Sequence, residues 1–256
     1  MFDLVLIAAL AAAPAADLRP VYHYERTNSD GTMAEDVVVF VEGKGRLSVM
    51  KARNRCTNAA YVTGRLDPES GAPIELVGGR LTPQSTQDPF LWLRPVDGGT
   101  RLELRQGTAE APPSFDLMVG TPWHIYDFDF ADLIAHPPSE IAQRAAFSFD
   151  LPLILMKDGD PTLTNRGRLS MTHPVEVVRW GRRAVRYRAA GPPFGDKTGY
   201  MWFNARSNIL VEAKLPLPNH SEYRDFHLKL VRTTHGQASW DERLADHWRG
   251  CPSDDK

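Results

Sequence analysis

The densest set of chemically capable side chains lies mid-chain, where His124 precedes the run Asp127-Phe128-Asp129-Phe130-Ala131-Asp132. An imidazole with three carboxylates could ligate a hard or borderline cation. If the stretch is a strand, Asp127 and Asp129 share one face and Phe128 and Phe130 the other. That pattern fits a metal site at His124, Asp127, Asp129 and Asp132, serving an envelope hydrolase or metal-dependent enzyme. It fits equally a solvated carboxylate face backed by buried aromatics. His220, His227 and His235 recur later at spacings of seven and eight residues, with Glu222 and Asp225 between them. They lack the Glu-bracketed helical spacing of a zinc protease and read as surface imidazoles. No Gly-x-Ser-x-Gly motif occurs, although triads assemble across distant residues, so no catalytic residue is assigned. No cofactor is expected.

The two cysteines, Cys56 and Cys251, carry the next possible chemistry. An even count in an exported chain favours one disulfide, which would tie the C-terminus to the N-terminal half. Two free thiols are the alternative. The third resource is aromatic. Six tryptophans and eleven phenylalanines either fill a core or line a groove, and Trp92, Trp202, Phe203 and Phe226 are the candidates for an apolar ligand site on a concave sheet face.

The elements that would position these groups are short and β-like. Val37 to Val41 and Arg46 to Met50 flank Glu42-Gly43-Lys44-Gly45 as a hairpin, and Phe90 to Leu93 and Arg101 to Arg105 flank Val96-Asp97-Gly98-Gly99 as another. Ala60 to Leu66 and Ile74 to Val77 are separated by the Pro- and Gly-bearing turn Asp67 to Pro73. Strand character returns at Ala146 to Leu155, Arg168 to Met171, Val175 to Trp180 and Ala184 to Ala189, and again in the pair Gly199 to Phe203 and Ile209 to Leu215. The proline-rich centre predicts two short helical turns, at 130–134 and 139–146. A C-terminal helix is predicted from a Ser239/Glu242 capping box, with Trp240, Leu244 and Trp248 on one face and a Gly250 stop. The expected fold is mainly β: a single curled antiparallel sheet or half-barrel with a few short helices and a C-terminal helix.

An N-terminal apolar core of about ten residues, followed by the small-residue patch Ala13-Pro14-Ala15, reads as a signal peptide over 1–16, cut after Ala15 or Ala16. Against it, the only early charge is Asp3, where Lys or Arg is usual, and a buried N-terminal strand or helix is the other reading. No Cys closes the run, so a lipid anchor is not expected. Residues 17–256 then form a single β-rich domain. Lys and Arg number 30 and Asp and Glu 32. This near balance gives no electrostatic reason to expect nucleic acid or anionic lipid, and no later segment is apolar enough to be transmembrane.

The stretch Arg183 to Gly191, followed by Lys197-Thr198-Gly199-Tyr200-Met201-Trp202-Phe203-Asn204 and Asn208 to Ala213, together with the turn Leu66 to Pro73, resembles a group of exported bacterial proteins of unknown function. Their strand pattern is similar to that of periplasmic lipoprotein carriers, in which a curled antiparallel sheet wraps an apolar cavity. The resemblance covers the last third plus one early turn, and the Asp-rich centre departs from it. It implies a periplasmic or secreted, non-enzymatic binding or envelope-maintenance protein, with a lipid or apolar ligand or an envelope protein as partner.

Overall fold

The structure, a computed structural model, describes residues 16–157 and 160–252. Residues 1–15, which carry nearly all of the expected signal peptide, lie outside the described residues. The chain runs β1 (Pro20–Thr27), β2 (Glu35–Gly43), β3 (Arg46–Ala52), β4 (Ala60–Leu66), β5 (Pro73–Leu81), β6 (Gln87–Val96), β7 (Arg101–Gln106) and β8 (Phe115–Met118). Two short helices follow, α1 (Ala131–Ala135) and α2 (Ser139–Gln143). Then come β9 (Phe147–Lys157), β10 (Asp160–Arg179), β11 (Arg182–Ala190), β12 (Gly199–Asn204), β13 (Leu210–Leu215), β14 (Phe226–His235) and α3 (Gln237–Trp248).

All fourteen strands form one antiparallel sheet that does not close on itself. β1 to β8 meander outward in one direction, β9 to β14 meander back from the other edge, and β14 pairs with β1 in the middle. The chain therefore crosses from one sheet edge to the other between β8 and β9. Trp123, Tyr126, Phe130, Leu133 and Ile141 of that crossing are buried in one cluster with the inward side chains of both wings. The expected curled sheet is thus present, with the aromatic, proline-rich centre as its filling. The two edges meet through a short tie: Gly120 N donates to Asp150 Oδ2 at 2.7 Å, and Asp150 Oδ1 also takes Arg168 at 3.1 Å.

Period-two alternation sets which residues face inward. Val37 and Val39 of β2 join the inner cluster, while Val38 and Phe40 join a smaller outer cluster beneath α3. This strand is covered on both faces, which is why it reads as an unbroken apolar run. Trp240 of α3 stacks on Phe40 at 5.8 Å and meets Tyr61 edge-on at 5.7 Å. The Cys56–Cys251 disulfide joins the end of this helix to the connection between β3 and β4, across 195 residues of sequence.

Four details differ from the sequence reading. Helix α3 begins at Gln237, so Ser239 lies inside it; the first free N–H is satisfied by Asp17, whose Oδ2 accepts from Gln237 N at 2.8 Å. β10 is one twenty-residue strand rather than two short ones, because irregular pairings at Asn165/Arg168 and Thr172/Val175 absorb Gly167 and Pro174. β8 is a four-residue edge strand with no periodic signal of its own. Finally, residues 126–128 form a 3-10 turn instead of a strand. Among the described residues, no helix is long and apolar enough to cross a membrane.

Candidate functional site

A cavity of about 240 Å³ lies between the inner face of β3 to β6 and the crossing segment. Its apolar wall comes from inward positions of three adjacent strands: Ala60 and Val62 on β4, Leu76 and Gly78 on β5, Leu91 and Leu93 on β6. Ile125 and Phe128 of the crossing and Ile154 and Met156 of β9 face them. The space exists because the wall is thin where strands pair. Val62 sits opposite Gly78, and a Cβ at Gly78 would come within 3.3 Å of the Leu91 Cβ. Exposed Asn58 and Met156 stand at the rim, so the apolar space communicates with solvent.

One end of the cavity is charged. Lys51 continues the inward phase of Leu47 and Val49, and its side chain is 6% exposed. It lies 2.7 Å from Asp129 Oδ2, donates to the Asp127 carbonyl at 2.6 Å and to His220 Nε2 at 3.0 Å. Asp129 Oδ1 accepts from Asn219 Nδ2 at 2.7 Å, and Asn219 Oδ1 accepts from Arg26 at 2.6 Å. Arg26 is fully buried beneath the Tyr223 ring, 3.6 Å from its centre. Lys51 and Asp129 thus answer each other's charge, and the Arg26 guanidinium is met by the Asn219 amide oxygen and the Thr27 and Asp225 carbonyls, as buried charges require. Asp129 and Phe130 both adopt left-handed backbone (φ +51° and +60°), an uncommon state for a bulky aromatic. The contacts of Asp129 with Lys51 and Asn219 hold this strained backbone in place.

The electrostatics follow from burial and these partners. Burial alone would push Lys51 down, but Asp129, Glu35 and Asp127 outweigh it and its pKa stands at about 12. Asp127 lines the cavity, and burial raises its carboxyl to about 6 against the pull of Lys51. Burial, reinforced by Lys51 and Arg26, lowers His220 to about 2, so its imidazole is neutral and accepts from the ammonium. Burial also raises Glu35. The arrangement is an apolar chamber ending in one ion pair and one carboxyl that titrates close to neutrality.

The residues singled out from sequence are dispersed. Asp127 lines the cavity and Asp129 sits behind it, paired with Lys51. His124 and Asp132 pair with each other instead, Nδ1 to Oδ2 at 2.9 Å, with the imidazole edge-on to Phe149. Among the described residues no group of three or more His, Cys, Asp or Glu is placed to hold a metal ion. Of the aromatic candidates, Phe203 and Phe226 are fully buried in the inner cluster, packed on Tyr187 (5.8 Å) and Phe130 (5.7 Å). Trp202 lies on the outer face with Ala184 and Val211. Trp92 alternates with inward Leu91 and Leu93 and faces outward too. None of the four lines the cavity.

Lys51, Arg26 and His220 went unassigned in the sequence. The signal for the first two was present: Arg26 follows Tyr22 and Tyr24, and Lys51 follows Leu47 and Val49, each a basic residue in phase with an apolar face. His220, read as a surface imidazole, is instead half-buried against Lys51, placed there by the irregular segment between β13 and β14.

No family model matches the sequence, and no curated protein matches it. Among solved structures, the chain is similar to the hypothetical lipoprotein YmcC from Escherichia coli K12, with a TM-score of 0.36 and 9% identity. The match covers 86% of this chain and 90% of that one.

Proposed function

We propose that this chain is an exported, non-enzymatic envelope protein that holds an apolar or lipid-like ligand on the concave face of its curled sheet. The observation that carries this reading is the apolar chamber between β3 to β6 and the crossing segment. A core packed to ordinary density has no reason to keep about 240 Å³ empty with a rim open to solvent. The volume is just below the roughly 300 Å³ at which drug-sized ligand sites begin. It suits one acyl chain segment or a small apolar group rather than a whole diacyl lipid. Asp127 and the Lys51–Asp129 pair would meet the polar end of such a molecule.

The disulfide supports an oxidising compartment, in line with the leader read from residues 1–16 and a mature domain spanning 17–256. An envelope hydrolase built on His124, Asp127, Asp129 and Asp132 draws less support, since these side chains are committed to separate partners. Native mass spectrometry of the protein purified from a bacterial periplasm tests the proposal. A co-purifying apolar molecule at one per chain, lost in Val62→Phe, is expected. A ligand-free chain that also fails to take up a neutral apolar probe would refute it.

A further inference from the structure

The outer face of the C-terminal wing carries a second, independent surface. Strand registers place Val175, Arg186, Trp202, Glu212 and Lys229 side by side across β10 to β14. The adjacent row reads Thr172, Arg188, Tyr200, Lys214 and His227. The rows place cations beside Val175, Tyr200 and the largely buried Trp202, and Trp180, 53% exposed, extends them at the tip of the β10–β11 hairpin. Arg186 lies over the Tyr200 ring at 5.2 Å and Lys229 over the Trp180 ring at 4.0 Å.

The single acid of these rows is spent within the sheet: it pairs with Arg179 and lies 3.8 Å from Lys214 Nζ. Glu212 is fully buried, accepts from Arg179 Nη2 at 2.8 Å and from Trp180 Nε1 at 3.0 Å, and lies 2.9 Å from His227 Nε2. This leaves Arg186, Arg188 and Lys229 without a carboxylate among the described residues. Between Asp160 and His235 there are thirteen Arg and Lys against six Asp and Glu. The near-zero charge of the whole chain, which by itself argues against anionic partners, is therefore an average over a segregated distribution.

We propose that this face docks on an anionic lipid surface, with Arg186, Arg188 and Lys229 meeting headgroup phosphates and Trp180 and Tyr200 lying at the interfacial depth. Exposed cations interleaved with Trp and Tyr suit that boundary, because the rings are amphipathic and the cations gain from negative surface potential. A single-stranded nucleic acid could use the cations and stack on the rings, but it gives the exposed aliphatic side chains Val175 and Val178 no apolar layer to enter.

The test is co-sedimentation of the mature protein with phosphatidylcholine vesicles, with and without one third phosphatidylglycerol, at low and at physiological salt. Binding to the anionic vesicles only, weakening as salt rises, is expected. The double variant Arg186→Ala/Arg188→Ala should bind roughly thirty-fold more weakly, at about fivefold per cation. Trp180→Ala should weaken binding while preserving the thermal midpoint. Absence of binding at low salt, equal binding to neutral vesicles, or indifference to the double variant would overturn the proposal. So would equal affinity for a single-stranded oligonucleotide, which would mark the face as a general polyanion surface. Because Val62→Phe alters only the inner face, its vesicle binding should equal that of the parent, which keeps this test separate from that of the cavity.

Discussion

The two wings of the sheet have the same strand geometry and solve the interior differently. In the C-terminal wing the inward positions are large and aromatic: Phe147, Phe149, Tyr187, Phe203 and Phe226 interlock at centroid distances of 5 to 6.5 Å with Tyr126 and Phe130 of the crossing segment. On β4 and β5 of the N-terminal wing they are small or aliphatic, as at Ala60, Val62, Leu76 and Gly78, and a chamber remains there. One wing is filled and the other keeps a cavity. The difference comes from side-chain volume at inward positions, since the backbone pairing is continuous through both.

Four substitutions sharpen or break that contrast. The largest effect belongs to Lys51→Met, which strands the buried Asp129 carboxylate and should cost about 4 to 5 kcal/mol in denaturant unfolding. Adding Asp129→Asn should recover part of that loss, and no recovery would mean that Lys51 acts through something other than the ion pair. Phe203→Ala, in the filled wing, should cost about 3 to 4 kcal/mol by the same assay. A cost near zero would remove the distinction between the wings.

Asp127 comes next and gives a pH signature. Its carboxyl titrates near 6 in the fold against an ordinary 3.8, so the folded state holds a proton that the unfolded state releases over that interval. Stability from this group is present below pH 4 and is lost as pH rises through 6. Asp127→Asn should therefore match the parent below pH 4 and exceed it above pH 6, by ~3 kcal/mol at most. Thermal midpoints at pH 4 and 7.5 check this, and equal differences at both values would contradict it. The smallest effect is Val62→Ala, about 1 kcal/mol, because the side chain faces a void and leaves few contacts behind. A loss as large as that of Phe203→Ala would show the chamber to be packed core.

The hairpins were legible because alternating polarity and Gly-bearing turns are local: the β2–β3 turn holds Gly43, Lys44 and Gly45 at positive φ, as its sequence demands. The C-terminal helix was legible for the same reason, from its 3.6-residue stripe, whereas the sulfur staple, which spans 195 residues, was legible from the cysteine count alone. Which face of a strand points inward was harder. Trp202 and Phe203 are sequence neighbours and cannot share a face of a regular strand, and Phe203 took the inside. At Trp92 the two flanking leucines took it. The Asp-rich segment was unreadable in detail because Asp129 and Phe130 are held left-handed by tertiary contacts, and nothing in a run of Asp and Phe announces that conformation. Lys51 shows what a reading of phase can add, since a lysine on an apolar face marks a partner that must lie across the fold.

The chamber in the N-terminal wing is the point on which the functional proposal stands or falls, and a titration with a neutral apolar fluorophore, 1-N-phenylnaphthylamine, addresses it most directly. Saturable uptake at one site per chain is expected, weakened at least tenfold by Val62→Phe with the thermal midpoint preserved and unaffected by Trp202→Ala on the outer face. Uptake that ignores Val62→Phe, or that disappears with Trp202→Ala, would contradict it.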